Sequence, residues 1–141
     1  MDSPLAGLLG LARRAGKAQL GEEAALNAAL AHKARVIFTA ADLSPNALGR
    51  LERAAETGNA VVLPIALTKA ELGPCVGWAN CGAVAVTDIG LAAAAVEKLA
   101  QADPQTLYQQ ALERLKPKAE KTARRRREKL RRKRDAARNK P

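Results

Sequence analysis

Aromatic side chains are nearly missing from this chain, which has one Phe, one Trp and one Tyr in 141 residues. Domains of the RNA-recognition-motif or cold-shock type stack bases on sheet aromatics, so such a platform is disfavoured. Cysteine is equally scarce. Cys75 and Cys81 are too few for a disulfide framework, lack the paired-ligand spacing of a zinc site, and lie far from the one histidine, His32. Both are read as reduced thiols, and no metal or cofactor is expected. No stretch approaches the 18 apolar residues of a membrane span. Asp2 and Pro4 stand where a secretory signal needs a positive start, so a soluble cytoplasmic protein is expected, with no membrane partner.

The signatures of catalysis are also missing. Gly10 and Gly16-Lys17 suggest a phosphate loop, but five residues intervene where four are needed, and Ala18 follows where Ser or Thr must ligand magnesium. These glycines sit in and after a helical pattern rather than after a strand. No Gly-x-Gly-x-x-Gly occurs, no paired carboxylates fall at a recognisable spacing, and His32 has no nucleophile pattern near it. His32 reads as a helix-end residue, where an imidazolium favours the dipole. A protein that is not an enzyme is expected.

What the chain does have is charge, unevenly spread. The formal net charge is +10, yet Met1 to Leu115 holds 10 Lys/Arg against 11 Asp/Glu, while Lys116 to Pro141 holds 14 against 3. The excess is therefore confined to the C-terminal arm, which supplies long-range attraction to a polyanion while a nearly neutral body must recognise its partner by shape. Arg124, Arg125, Arg126 and Arg127, followed by Arg131, Arg132, Lys133 and Arg134, are the expected contacts. Phosphate contacts of this kind position a protein without specifying sequence.

Before the arm, helical and strand patterns alternate with short punctuation, the mark of a layered α/β domain. Ser3-Pro4 starts a helix with Leu5, Leu8, Leu9 and Ala12 on one stripe, and Gly16 ends it. Ala18 to Leu20 is extended. Glu22 to Ala31 is helical, with Leu26, Ala29 and Leu30 assigned to one face, and Val36 to Thr39 is a buried strand. Ser44-Pro45 and Gly58 bracket another helix, Val61 to Leu63 is a strand, and Thr68 with Glu71 is spaced as a capping box. Ala83 to Val86 is the last strand, and Asp88 caps a helix through Ala92 to Ala100. Five helices and four short strands result, with the helices covering a central sheet.

Pro104 opens a further helical pattern through Leu107, Tyr108, Ala111, Leu112 and Leu115, which Pro117 is expected to interrupt. Beyond Lys118 the residues are helix formers by type, but Leu130 is the one large apolar side chain among them. That segment is expected to be mobile when free and to order when phosphates neutralise it. The division is a domain over 1–103 and a basic C-terminal extension over 104–141.

The run Gly21-Glu22-Glu23-Ala24-Ala25-Leu26-Asn27-Ala28, then Ala34 to Pro45 (ARVIFTAADLSP), resembles the opening half of the ribosomal protein L-seven-Ae family. Thr68-Lys69-Ala70-Glu71-Leu72-Gly73, Gly77, and Ala83 to Gly90 (AVAVTDIG) resemble its later helix, loop and last strand. With the start Leu9 to Lys17 (LGLARRAGK), the chain looks closest to the bacterial YlxQ-like branch, over about residues 4 to 100. The resemblance implies a three-layer α/β/α sandwich with a small four-stranded mixed sheet, binding kinked RNA in which sheared G·A pairs follow a bulge. A ribosome-associated, non-catalytic role with structured or ribosomal RNA as partner follows from it.

The same resemblance implies the contacts. Gly21, Glu22, Glu23, Ala24 and Asn27 are expected at the start of the second helix, and Val76, Gly77, Trp78, Ala79 and Asn80 in a loop covering the extruded nucleotides, with Lys17 as a further expected RNA contact of the domain. A helix N-terminus favours phosphate, and glycine lets a backbone come close. The chain departs from the family pattern at three places. Glu23 and Ala24 replace an Asn-Glu pair, Asn27 replaces a Lys, and Ala41 replaces the Glu expected before Asp42. Ala24 and Asn27 motivate an alternative, a protein-docking adaptor anchored to RNA or DNA by its arm. The oligomeric state is left open.

Overall fold

The computed structural model describes residues 4–139, so the N-cap expected at Ser3 lies outside the described residues. The elements run α1 (Pro4–Arg14), β1 (Ala18–Leu20), α2 (Glu22–Leu30), β2 (Val36–Thr39), α3 (Pro45–Gly58), β3 (Val61–Pro64), α4 (Lys69–Cys75), β4 (Ala83–Val86), α5 (Ile89–Ala102) and α6 (Thr106–Arg138). The helix starts follow the local chemistry. Ser44 Oγ accepts from the Ala47 N–H, Thr68 and Glu71 form a reciprocal capping box, and an Asp88 carboxylate oxygen accepts from the Leu91 N–H.

The strands form one mixed sheet in the order β1-β4-β2-β3, with β4 antiparallel to β1 and β2, and β3 parallel to β2. The register fixes two ends. Leu20, Thr39, Pro64 and Ala83 lie together at what is here termed the upper end, and Ala18, Val36, Val61 and Val86 at the lower.

Strand alternation divides the core by side-chain size. Val36, Phe38, Val84 and Val86 face a cluster built with Leu5 and Leu9 of α1, Leu72 of α4, and Val96 of α5. Ile37, Ala83 and Ala85 face the other way, against Ala25, Ala28 and Ala29 of α2 and Leu51, Ala54 and Ala55 of α3. The result is a three-layer α/β/α sandwich whose second face is lined by small residues, so that α2 and α3 approach the sheet and each other closely.

That closeness corrects one reading of the sequence. The buried face of α2 is Ala25, Ala28 and Ala29, while Leu30 is half-exposed and Leu26 only partly buried. At the crossing with α3, a Cβ on Gly58 would stand 1.9 Å from the Ala29 carbonyl oxygen. Backbones this near leave no room for leucine, and the alanines take the seam.

A second correction concerns α6. Pro117 was expected to interrupt it, yet the helix is continuous from Thr106 to Arg138. Pro117 removes one backbone donor, the one that would meet the Glu113 carbonyl. Packing spans the gap: Tyr108, Ala111 and Leu115 are buried in the larger cluster before it, and Ala119 is packed against that cluster after it. The Tyr108 hydroxyl donates to the Pro64 carbonyl at 2.8 Å, tying the helix to the upper end of the sheet.

Candidate nucleic-acid interface

At the upper end, Gly21 links β1 to α2. Its N–H donates to the Ala83 carbonyl at 2.8 Å, continuing the β1–β4 ladder, and its φ of 94° then turns the chain into the helix. A side chain is disfavoured there on backbone grounds alone. No side chain caps α2, so the first-turn N–H groups are open, and Glu22 and Glu23 supply negative charge beside them.

Trp78 covers this start. A Cβ on Gly21 would lie 3.4 Å from the indole Cζ3, and the residue as a whole is 44% exposed. Trp78 is therefore partly exposed while one edge of its indole lies on Gly21. The loop carrying it is held tightly. The Trp78 N–H donates to the Gly73 carbonyl at 2.9 Å, and a Cβ on Gly73 would meet the Ala79 and Asn80 backbone at 2.7 Å. Gly77, with φ of 78°, lies under the Arg13 guanidinium, 3.3 Å from its would-be Cβ.

The remaining expected residues are distributed unequally. Ala79, Asn80, Glu23 and Asn27 are exposed, and Glu22 and Ala24 are partly so. Val76 is 1% exposed and belongs to the larger core cluster, so its side chain packs inward and offers nothing at the surface. Glu22 lies against Gly82, whose would-be Cβ stands 2.9 Å from the carboxylate. Glu23 pairs with Arg50 of α3 at 3.5 Å, an exposed contact of small energetic weight. Asp42 accepts from the Lys69 N–H at 2.8 Å, which gives it a structural part in joining the β2 loop to α4.

Lys17 is not among this group. It lies at the lower end of β1, where its N–H donates to Ala12 and its carbonyl accepts from the Thr87 N–H. There it joins the arm. Arg126 of α6 reaches the Asp88 carboxylate at 3.3 Å, although 38 residues separate them. Burial alone would push the Asp88 carboxyl up. The Leu91 N–H, the Arg126 guanidinium and the Lys17 ammonium outweigh it and hold the carboxyl below its ordinary value. The arm residues Arg124, Arg125, Arg127, Arg131, Arg132, Lys133 and Arg134 are all exposed on α6.

Several contributors carried no sequence signal of their own. Gly73 gave no sign of its close approach to Ala79 and Asn80, Gly58 read only as a helix end, and nothing in spacing pairs Asp88 with Arg126. Arg13 could have been noticed as a basic residue in the last turn of α1. Both cysteines are free, and burial pushes both thiols up, away from the reactive thiolate.

No family profile and no curated protein matches the sequence. Solved structures do share its fold. A protein of unknown function from Bacillus halodurans aligns with a TM-score of 0.65 at 20% identity, over 70% of this chain and 98% of its own. The Giardia lamblia 15.5kD RNA binding protein aligns with a TM-score of 0.58 at 18% identity, over 72% of this chain and 89% of its own.

Proposed function

From that shared fold, we propose that this chain is a non-catalytic binder of structured RNA, of the L-seven-Ae type and its YlxQ-like branch, working in the cytoplasm in association with the ribosome. The observation that carries the reading is the arm: 14 cations against 3 acids over residues 116–141, of which the 13 cations from Lys116 to Arg138 are borne on a helix whose first half is built into the core. Polyanion attraction is thereby joined to a folded body.

The body contributes shape. An uncapped helix start, a glycine that lets backbone come near, and a half-exposed indole above it form a surface suited to phosphate and an unstacked base. A neighbour of this fold is named as an RNA-binding protein, which supports the same partner. Recognition of a kinked RNA with sheared G·A pairs is the finer version. Against it stand Ala24, which has no polar group to offer a base, and Glu23, whose carboxylate is turned to Arg50.

The test measures binding of a kink-turn RNA and a control with its G·A pairs disrupted. The full chain is compared with a variant in which Arg124 to Arg127 and Arg131 to Arg134 are changed to Gln. Loss of most affinity for both RNAs, with the preference for the kinked one retained, is expected. Equal binding of the two RNAs by the neutralised variant removes kink selectivity. A protein partner retained after exhaustive nuclease treatment, with no RNA bound, favours the adaptor reading.

A further inference from the structure

The arm leaves the body at the end opposite to Gly21 and Trp78. Lys17 and Gly21 bound β1 at its two ends, about 13 Å apart at strand rise. Arg126 docks at the lower one, and from Arg126 to Arg138 the helix continues for about 18 Å.

Its faces are unlike. A helix turns about 100° per residue, so Arg126, Lys129 and Lys133 fall within about 60° of the direction in which Tyr108 is buried. Glu120, Glu128 and Asp135 fall on the far side, about 120–200° away. The contact between Arg126 and Asp88 fixes this phase independently. Lys129 and Lys133 have no acidic residue three or four positions away, whereas Arg124 and Arg131 each have two. The face that carries no acid is thus turned to the same side as the body.

The body meets it with cations. Lys17 lies beside Asp88, and Arg35 is exposed at the start of β2, its N–H bonded to the Val86 carbonyl one residue before Thr87. Among the described residues, neither Lys129 nor Lys133 makes an ion pair. Asp88 answers Arg126 and Lys17, but Lys129 and Lys133 have no matching acid, and positive groups left so repel their neighbours, a cost that a phosphate backbone laid beside them would reverse.

We infer that the corner between the lower end of the sheet and the inner face of α6, lined by Lys17, Arg35, Arg126, Lys129 and Lys133, is a second RNA surface that grips the phosphate backbone of a duplex. It is separate from the Gly21–Trp78 surface, so the protein holds a structured RNA at two points. This rests on RNA being the partner, but not on any selectivity for kinks.

The test uses the full chain and a plain RNA duplex with no kink, titrated over a range of salt. Lys129→Gln with Lys133→Gln is expected to weaken binding about tenfold at 0.1 M salt, and to reduce the magnitude of the salt slope by about 1.5. Lys17→Gln with Arg35→Gln should act alike, while Arg124→Gln with Arg131→Gln should lose less than half as much. Circular dichroism checks that each variant keeps its helix content. Equal losses for the inner and outer pairs overturn the proposal, as does an unchanged affinity for the Lys17 and Arg35 variant. Absence of duplex binding by the parent chain, or tighter binding to a DNA duplex of the same sequence, also overturns it. If the parent binds duplex and kinked RNA alike while the inner pair still loses more, kink selectivity falls and the corner stands.

Discussion

Single residues at the helix seams and in the core set much of the stability. Thr39 is 1% exposed and its hydroxyl has no hydrogen-bond partner, so β2 carries a desolvated polar atom. Thr39→Val replaces it with an apolar group of the same shape. It is expected to unfold at or above the parent's denaturant midpoint, a gain on the order of 1 kcal/mol. A lower midpoint would show that the hydroxyl has a partner in solution. Gly58→Ala acts the other way, because its methyl group meets the Ala29 carbonyl oxygen head-on. Separation of α2 from α3 should cost about 1–3 kcal/mol in urea unfolding, and a neutral result would mean that the seam is slack. The sequence marked Gly58 only as a helix end. A close backbone approach depends on which helix crosses there, and nothing in the neighbouring residues encodes that.

Elements were more legible than their seams. The capping box at Thr68 and Glu71, the Asp88 cap, and the valine-rich strands are local chemistry, and each appears where the sequence placed it. Two non-local matters were not legible: which face of α2 turns inward, and whether α6 survives Pro117. In the second case contacts made by Leu115 and Ala119 override a local preference. The same logic hid the connection between α6 and α5, since Asp88 reads as a cap alone. Its carboxyl is held below the ordinary value near 3.8, so its stabilising effect is complete above that value and is lost as pH falls through the folded one. Asp88→Asn, which keeps a capping group but not the charge, should be less stable than the parent at about pH 6, and the gap should close as pH falls below the folded value. A gap that is constant over this range would assign the effect to geometry instead. Pro117→Ala restores a donor inside α6. Slower hydrogen exchange of the amides from Lys118 to Thr122 is expected, with the β2 and β4 amides unchanged.

At the scale of the molecule, a nearly neutral body and a strongly cationic helix behave as two electrostatic regimes in one chain. The body's fold depends on burial, which salt affects little, whereas the outer half of α6 has almost no burial to depend on: Leu130 is 66% exposed. Within Arg124 to Arg134, cations three and four positions apart have Cβ atoms about 5–6 Å from one another, a spacing shorter than the screening length of roughly 10 Å at 0.1 M salt. Glu128 and Asp135 offset some of that repulsion on the outer face, while Lys129 and Lys133 have no such relief. Raising salt from about 0.01 M to about 0.5 M shortens the screening length several-fold. It is therefore expected to slow hydrogen exchange in the stretch from Arg127 to Arg138 and to deepen the helical dichroism. The same change should leave the exchange of the buried β2 and β4 amides within error. A phosphate backbone neutralises the same charges by direct contact, so RNA should protect this stretch at micromolar concentration, where sodium chloride has no effect. Protection by salt but not by RNA would mean that the arm is ordered by screening alone and does not lie on the nucleic acid.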